Sequence, residues 1–329
     1  MKRIVAAVLC LLLLFPCVAA CSEGAGKDGL TVVCTVFPFY DWATNIVKDT
    51  EGAEVILLIG NGADAHSYQP SAEDILRIRK ADLVVYAGGE SDAWIEEALS
   101  QTREKEGQAL RLYDAEGVTL RYISQESVVS ACKEEACEEH GYAHDHEATD
   151  IDEHIWLSLG NAAACVRAMT EAFGAKDEAN AEEYRTHAEE YLARLQSLRA
   201  SYADFAAQAK GETLLFADRF PFVYLAEEYG LGYLAAFRGC TTDTDADPDT
   251  IIRLARAADE RTLSAIFVTE SSDRALAETV RRTTATKDQQ IVALDSLQSV
   301  TESDRESGVT YCSVMEKNLE ILRQTFLPA

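Results

Sequence analysis

The stretch LTVVCTVFPFYDWATNIVKDTEGAEVILLIG (30–60) sets the pattern from which the fold follows. LTVVCTVF (30–37) is a β-branched apolar run and reads as a strand. Tyr40–Lys48 carries apolar residues at helical spacing, and AEVILLIG (53–60) is a second strand. The alternation continues outward. Ser71–Arg79 reads as a helix, ADLVVYAGG (81–89) as a strand, Ala93–Ser100 as a helix and ALRLY (109–113) as a weaker strand. Strand–helix–strand repetition predicts a mainly parallel sheet covered by helices on both faces.

Past the middle of the chain the rhythm is interrupted and then restarts. Asn161–Phe173 reads as a helix, and 177–210 as a much longer one with no Pro or Gly before Gly211. Tyr184, Tyr191, Leu192, Leu195, Leu198 and Tyr202 form its apolar stripe, opposite Glu182, Glu183, Glu189, Glu190 and Arg194. A helix of that length spans a whole domain and serves as a connecting strut. TLLFAD (213–218), GYLAAF (232–237), AIFVTES (265–271) and QIVALDS (290–296) then read as strands. Helices fill Phe220–Tyr229, Pro248–Asp259, Asp273–Arg282 and Tyr311–Phe326. The expected fold is α/β: two lobes, each a mainly parallel sheet with flanking helices, joined by one long rigid helix. The lobes are expected at 30–176 and 211–329.

The 329 residues hold 30 Lys and Arg against 56 Asp and Glu, a formal charge of −26. Such a chain cannot neutralise a row of phosphates, so nucleic acid is excluded as a partner. Electrostatic adhesion to anionic lipid is equally disfavoured, whereas a soluble metal cation is attracted. Lys2 and Arg3 precede an apolar run, Ile4–Val18, too short for a membrane span. Val18-Ala19-Ala20-Cys21 resembles a bacterial lipobox, in which Cys21 takes the lipid and 1–20 is removed. Residues 21–29 then form a tether. The expected location is extracytoplasmic, with the chain anchored to a bacterial cell membrane through Cys21. Of nine cysteines, Cys10, Cys17 and Cys21 belong to this export segment. Cys132 and Cys137 lie close enough to pair or to bind metal, and connectivity stays open.

Between about Gln125 and Glu153 the rhythm breaks. From Cys132 to Glu153 (132–153), nine Asp and Glu stand against Lys133 alone, with His140, His144 and His146 among them. The run is expected to be a surface loop that buries nothing and binds transition metals weakly.

In parallel α/β folds, polar residues at the carboxyl ends of strands line the ligand crevice. His66 follows a strand through the Gly-containing loop GNGADAHSYQP. Asp218 ends TLLFAD, Glu270 ends AIFVTE, Asp295 ends IVALD, and His154 lies in DEHIWLSL. Imidazoles with carboxylates suit zinc or manganese. Each has a plainer reading as well: His66 as a surface residue, Asp218 as a helix cap, Asp295 as a turn residue. His187 on the long helix is read as structural. The chain has no G-x-S-x-G elbow, no Walker loop and no H-E-x-x-H pair, so it is not read as an enzyme.

GADAHSYQPSAEDILRIRKADLVVYAGG (62–89) resembles the first metal-ligand segment of the solute-binding lipoproteins of zinc and manganese ABC transporters. DEHIWLSL (152–159) resembles their second, and FADRFPFVYLAEEYGL (216–231) and ALDSLQS (293–299) follow in the same order. The resemblance covers nearly the whole chain beyond the export segment. It implies two lobes, a rigid linking helix and one metal ion in the cleft, held by His66, His154 and Asp295. It further implies delivery of Zn²⁺ to an ABC permease by a monomer. Where the family usually offers His or Glu, this chain has Ala217, so either Asp218 or Glu270 moves in, or water completes the shell, or the site is weaker than usual. The histidine-rich loop favours zinc, Mn²⁺ remaining the alternative. An exported zinc-dependent hydrolase using the same residues is the competing reading.

Overall fold

A computed structural model describes residues 29–100, 108–122, 151–239, 241 and 246–327. The N-terminal lobe runs β1 (Thr31–Cys34), α1 (Phe37–Ile46), β2 (Glu54–Leu57), α2 (Ala72–Lys80), β3 (Leu83–Tyr86), α3 (Ala93–Ser100) and β4 (Ala109–Arg111). Two helices follow, α4 (Leu159–Lys176) and α5 (Ala181–Gln208). The C-terminal lobe runs β5 (Thr213–Phe220), α6 (Val223–Tyr229), β6 (Gly232–Arg238), α7 (Pro248–Glu260) and β7 (Ala265–Thr269). It continues with α8 (Ala275–Thr283), β8 (Gln290–Leu294), α9 (Glu302–Glu306) and α10 (Tyr311–Phe326).

The two sheets share one plan. Their strand orders are β2-β1-β3-β4 and β6-β5-β7-β8, and every pairing is parallel. Each order reverses direction after its first strand, which opens a crevice at the carboxyl ends beside β1 and beside β5. The central strands are apolar because both faces are covered: all four residues of β3 and all five of β7 are buried.

Helix α5 ties the lobes together. Its 28 residues span about 42 Å. Tyr184, Ala188, Tyr191, Leu195, Leu198, Tyr202 and Phe205 recur at intervals of three and four and are buried. This stripe packs against α4 and α1 on one side and α10 and α6 on the other. Tyr191 donates to Asp41 of α1 at 2.9 Å, and Tyr202 donates to the Met315 carbonyl of α10 at 2.7 Å. Trp42 of α1 meets Tyr311 of α10 edge-on, with ring centres 5.2 Å apart. Burial pushes the Asp41 carboxyl up to about 6, even though the Tyr191 hydroxyl favours its charged form.

Three local expectations need correction. The strand TLLFAD does not end at Asp218 but continues to Phe220. It contains a bulge: Phe216 pairs with Ala235 and Arg219 with Phe237, so β5 holds one residue more than β6 between these pairs. The helix expected from Phe220 accordingly begins at Val223. Asp152 and Glu153 do not belong to a run that buries nothing, being only 3% and 7% exposed. An isolated antiparallel bridge between Tyr122 and Ile151 holds the chain just before them.

Candidate metal centre

The His66 loop leaves β2 through two left-handed residues, Asn61 (φ 57°) and Gly62 (φ 75°). It then makes one 3₁₀ turn over Ala65–Ser67, capped by Asp64, whose Oδ1 accepts the His66 N–H at 2.9 Å. Asp74 fixes the chain beyond it. That buried carboxylate accepts from Tyr68 Oη at 2.9 Å, from Ser71 N at 2.8 Å and from Ser71 Oγ at 2.6 Å. Burial works against the charged form of Asp74, but the Ser71 and Tyr68 bonds outweigh it and hold its pKa below the ordinary carboxylate value. The loop is therefore short and anchored at both ends.

His154 arrives from the other direction, entirely buried, just ahead of the 3₁₀ turn Ile155–Leu157 and α4. Its Nδ1 lies 2.9 Å from Asp152 Oδ1, which also accepts the His154 backbone N–H at 3.0 Å. A carboxylate only accepts, so Nδ1 carries the proton and Nε2 presents a lone pair. Glu153 serves the other imidazole. Its Oε2 stands 3.6 Å from His66 Nδ1, while Oε1 accepts the Ser91 N–H at 2.8 Å. Ser91 Oγ lies 2.9 Å from the same His66 Nδ1. Gly89 makes room for this carboxylate, because a Cβ there would come within 2.5 Å of Glu153 Oε1.

The outcome is two imidazoles gripped at Nδ1 with their Nε2 atoms facing each other at 3.3 Å. Two nitrogens on one tetrahedral zinc, each at about 2.0–2.1 Å, are about 3.3–3.4 Å apart. The pair therefore already has the spacing of two corners of a zinc tetrahedron. Burial, and then the neighbouring His154, lower the His66 pKa to about 4, against the opposing pull of Glu153 and Asp64. Its ring thus stays neutral, the form a metal needs, well below neutral pH.

The C-terminal lobe closes over this pair. Trp156 donates its indole N–H to the Ser296 carbonyl at 2.9 Å, and Tyr311 donates to the Trp156 carbonyl at 2.6 Å. A Cβ on Gly239 would lie 2.9 Å from His154 Cε1, so the backbone beyond β6 passes against the ring. Beside it is a cavity of about 160 Å³ lined by Asp64, Arg219, Gly239, Thr269, Ser296 and neighbouring loop residues.

None of the three expected carboxylates, Asp218, Glu270 and Asp295, forms a metal-holding group with the histidines. Asp218 spends both oxygens within its own lobe: Oδ1 accepts from Arg219 N at 2.7 Å, and Oδ2 from Thr269 N and Oγ1 at 3.1 and 2.8 Å. It fills the β5–β7 gap that the bulge leaves. Glu270 grips Ser296, accepting from its N–H and its hydroxyl, both at 2.9 Å. Asp295 lies next to Ser296 and accepts the Leu297 N–H at 2.8 Å. Burial, and then Glu270, raise its pKa to about 6. Among the described residues, no group of three His, Cys, Asp or Glu side chains is close enough to hold a metal. Ala217 packs into the core on the α7 and α8 side of the sheet, so its position contributes nothing to the cleft. Cys21, Cys132, Cys137, His140, His144 and His146 lie outside the described residues. His187 contacts the Ile46 carbonyl at 3.1 Å, a packing role.

Sequence reasoning missed the positioning groups: Asp152, Glu153, Ser91, Asp64 and Arg219. The signal for two of them was the DEH triplet itself, in which acids directly precede a candidate ligand.

Two similar parallel-sheet lobes, one long connecting helix and paired imidazoles between the lobes are the features of a two-lobed solute-binding protein. Residues 32–325 match the family described as zinc-uptake complex component A, periplasmic, and the chain belongs to that family. It is 32% identical over 329 residues to the zinc-binding lipoprotein AdcA of Streptococcus pneumoniae, covering 99% of this chain and 61% of that one. It is 28% identical to the high-affinity zinc uptake system protein ZnuA of Bacillus subtilis, over 95% of both. Among solved structures, the Zn(II)-bound ZnuA-like domain of S. pneumoniae AdcA superposes with a TM-score of 0.70 at 28% identity, over 91% of this chain and 99% of that domain. The chain thus spans about three fifths of the length of the S. pneumoniae AdcA it matches.

Proposed function

We propose that this protein binds Zn²⁺ outside the cytoplasmic membrane and hands it to the permease of an ABC importer, with His66 and His154 as the two imidazole ligands. The observation that carries the reading is the 3.3 Å separation of two Nε2 atoms whose rings are each held from behind at Nδ1. Names of relatives that bind zinc or belong to a zinc uptake system support the same cargo. Zinc is favoured over Mn²⁺ because two imidazoles suit the softer ion, whereas manganese prefers a carboxylate-rich set. Asp295 is proposed as the carboxylate that joins from the C-terminal lobe, since Asp218 and Glu270 are committed to Thr269 and Ser296. Lipid anchoring at Cys21 fits a relative named as a lipoprotein. His140, His144 and His146 are proposed as an accessory, weaker collecting site.

The test is zinc accumulation by a deletion strain grown in chelated medium. Loss of accumulation, restored by the wild-type chain and not by a His66→Ala/His154→Ala chain, is expected. Normal accumulation without the protein would refute the transport role.

A further inference from the structure

The bulge in β5 reaches across the cleft in its effect. Ala217 faces the core on the same side as Leu215, and Asp218 is bonded to Thr269. Arg219, the next residue, contacts the opposite lobe: its Nη1 donates to Asp64 Oδ2 at 2.8 Å and lies 3.5 Å from the Thr241 carbonyl. Asp64 is not a passive partner. Its other oxygen, Oδ1, accepts the His66 backbone N–H and caps the turn on which His66 stands. One carboxylate therefore links a guanidinium of the C-terminal lobe to the backbone of a proposed ligand in the N-terminal lobe. Both side chains are largely shielded, 22% and 35% exposed.

A guanidinium this near a cation site is unfavourable by itself, because like charges repel. Its pairing with Asp64 neutralises it. The two together stiffen the loop without adding net charge. Holding a ligand from a residue that does not touch the metal is how such sites fix their geometry.

Resting on the zinc-binding reading above, we propose that Arg219 is a positioning residue: acting through Asp64, it holds the His66 turn from the opposite lobe and slows release of the bound ion. The carboxyl end of β5 thereby contributes a brace across the cleft.

The test uses the full chain loaded with one equivalent of zinc. Release to an excess of chelator is followed by stopped flow, and the visible spectrum of the Co²⁺-loaded protein reports ligand geometry. Arg219→Gln and Asp64→Asn are each expected to release zinc at least tenfold faster and to alter the cobalt bands. Arg219→Lys, which keeps the charge, should stay within about threefold of wild type. The double variant Asp64→Asn/Arg219→Gln should release no faster than Arg219→Gln alone, because the two residues act as one unit. Wild-type-like release and spectra in Arg219→Gln would overturn the proposal. So would multiplicative effects in the double variant, or tighter zinc binding in Arg219→Gln, which would mean that repulsion outweighs bracing. Failure of the wild-type chain to bind zinc at all would instead strike at the zinc-binding reading, and is distinguished by its own titration.

Discussion

Replacing Asp152 with asparagine isolates the contribution of one buried carboxylate to the metal centre. Asp152 is 3% exposed and His154 fully buried, and a single oxygen, Oδ1, receives both the imidazole Nδ1–H at 2.9 Å and the His154 backbone N–H at 3.0 Å. The Asp152→Asn side chain would keep the shape and both acceptor contacts but lose the charge. A hydrogen bond to a charged group contributes about 1.5–3 kcal/mol, and a neutral one about 1 kcal/mol. The difference, roughly 1–2 kcal/mol, should emerge as weaker metal binding, since the carboxylate makes the imidazole a better donor and fixes its tautomer. The expected result is zinc affinity reduced by about fivefold to thirtyfold. A competition titration against a chromophoric chelator measures this, with circular dichroism confirming that the fold is retained. Affinity within threefold of wild type would show that His154 does not need its carboxylate, and would refute the reasoning that makes this imidazole a tuned ligand.

Other outcomes follow from the same geometry. Asp218→Ala removes three bonds that shape β5 and join it to β7, so unfolding stability in urea should fall by about 1–3 kcal/mol while zinc affinity changes little. A large affinity loss with unchanged stability would make Asp218 a ligand after all. Deleting Lys133–Ala148 should lower the number of zinc ions bound while leaving the tightest site intact, as read by calorimetry. Abolition of that site would place a loop histidine in it. For Asp41, the folded pKa of about 6 lies above the ordinary 3.8, so folding favours the protonated form. Its contribution to stability is full below about pH 4 and is lost as pH rises through 6. Asp41→Asn should therefore gain on wild type by up to about 3 kcal/mol between pH 4 and pH 8. A difference in denaturation midpoints that stays flat with pH would contradict this.

The parallel-sheet architecture was legible because its strands are buried on both faces and spell continuous β-branched runs, as TVVC and AIFVT do. Helix limits were legible where capping residues mark them: Tyr311–Phe326 follows Thr310, whose side chain accepts the Ser313 N–H. The β5 bulge was not legible. A one-residue insertion leaves no mark in a run such as TLLFADRF, and only pairing with β6 creates it. For the same reason Asp218 resembled a ligand at a strand end, when the bulge turns it onto Thr269. His66 and His154 were legible as candidates, from a Gly-containing loop and an acid-flanked triplet. Their bracing was not, because Glu153 reaches His66 across 87 residues and Arg219 meets Asp64 across 155. Asp152 and Glu153 were misread as solvated because composition places them at the end of an acidic run. Burial depends on tertiary packing, here set just after the Tyr122–Ile151 bridge.

The metal centre stands or falls on one zinc ion lying between His66 and His154. An anomalous difference map at the zinc edge, from crystals of the full chain grown with one equivalent of zinc, is the decisive experiment. The expected result is a single strong peak about 2.0–2.1 Å from Nε2 of both rings, with both Nδ1 atoms still held by their partners. A peak that touches only one of the two imidazoles, or neither, would contradict it.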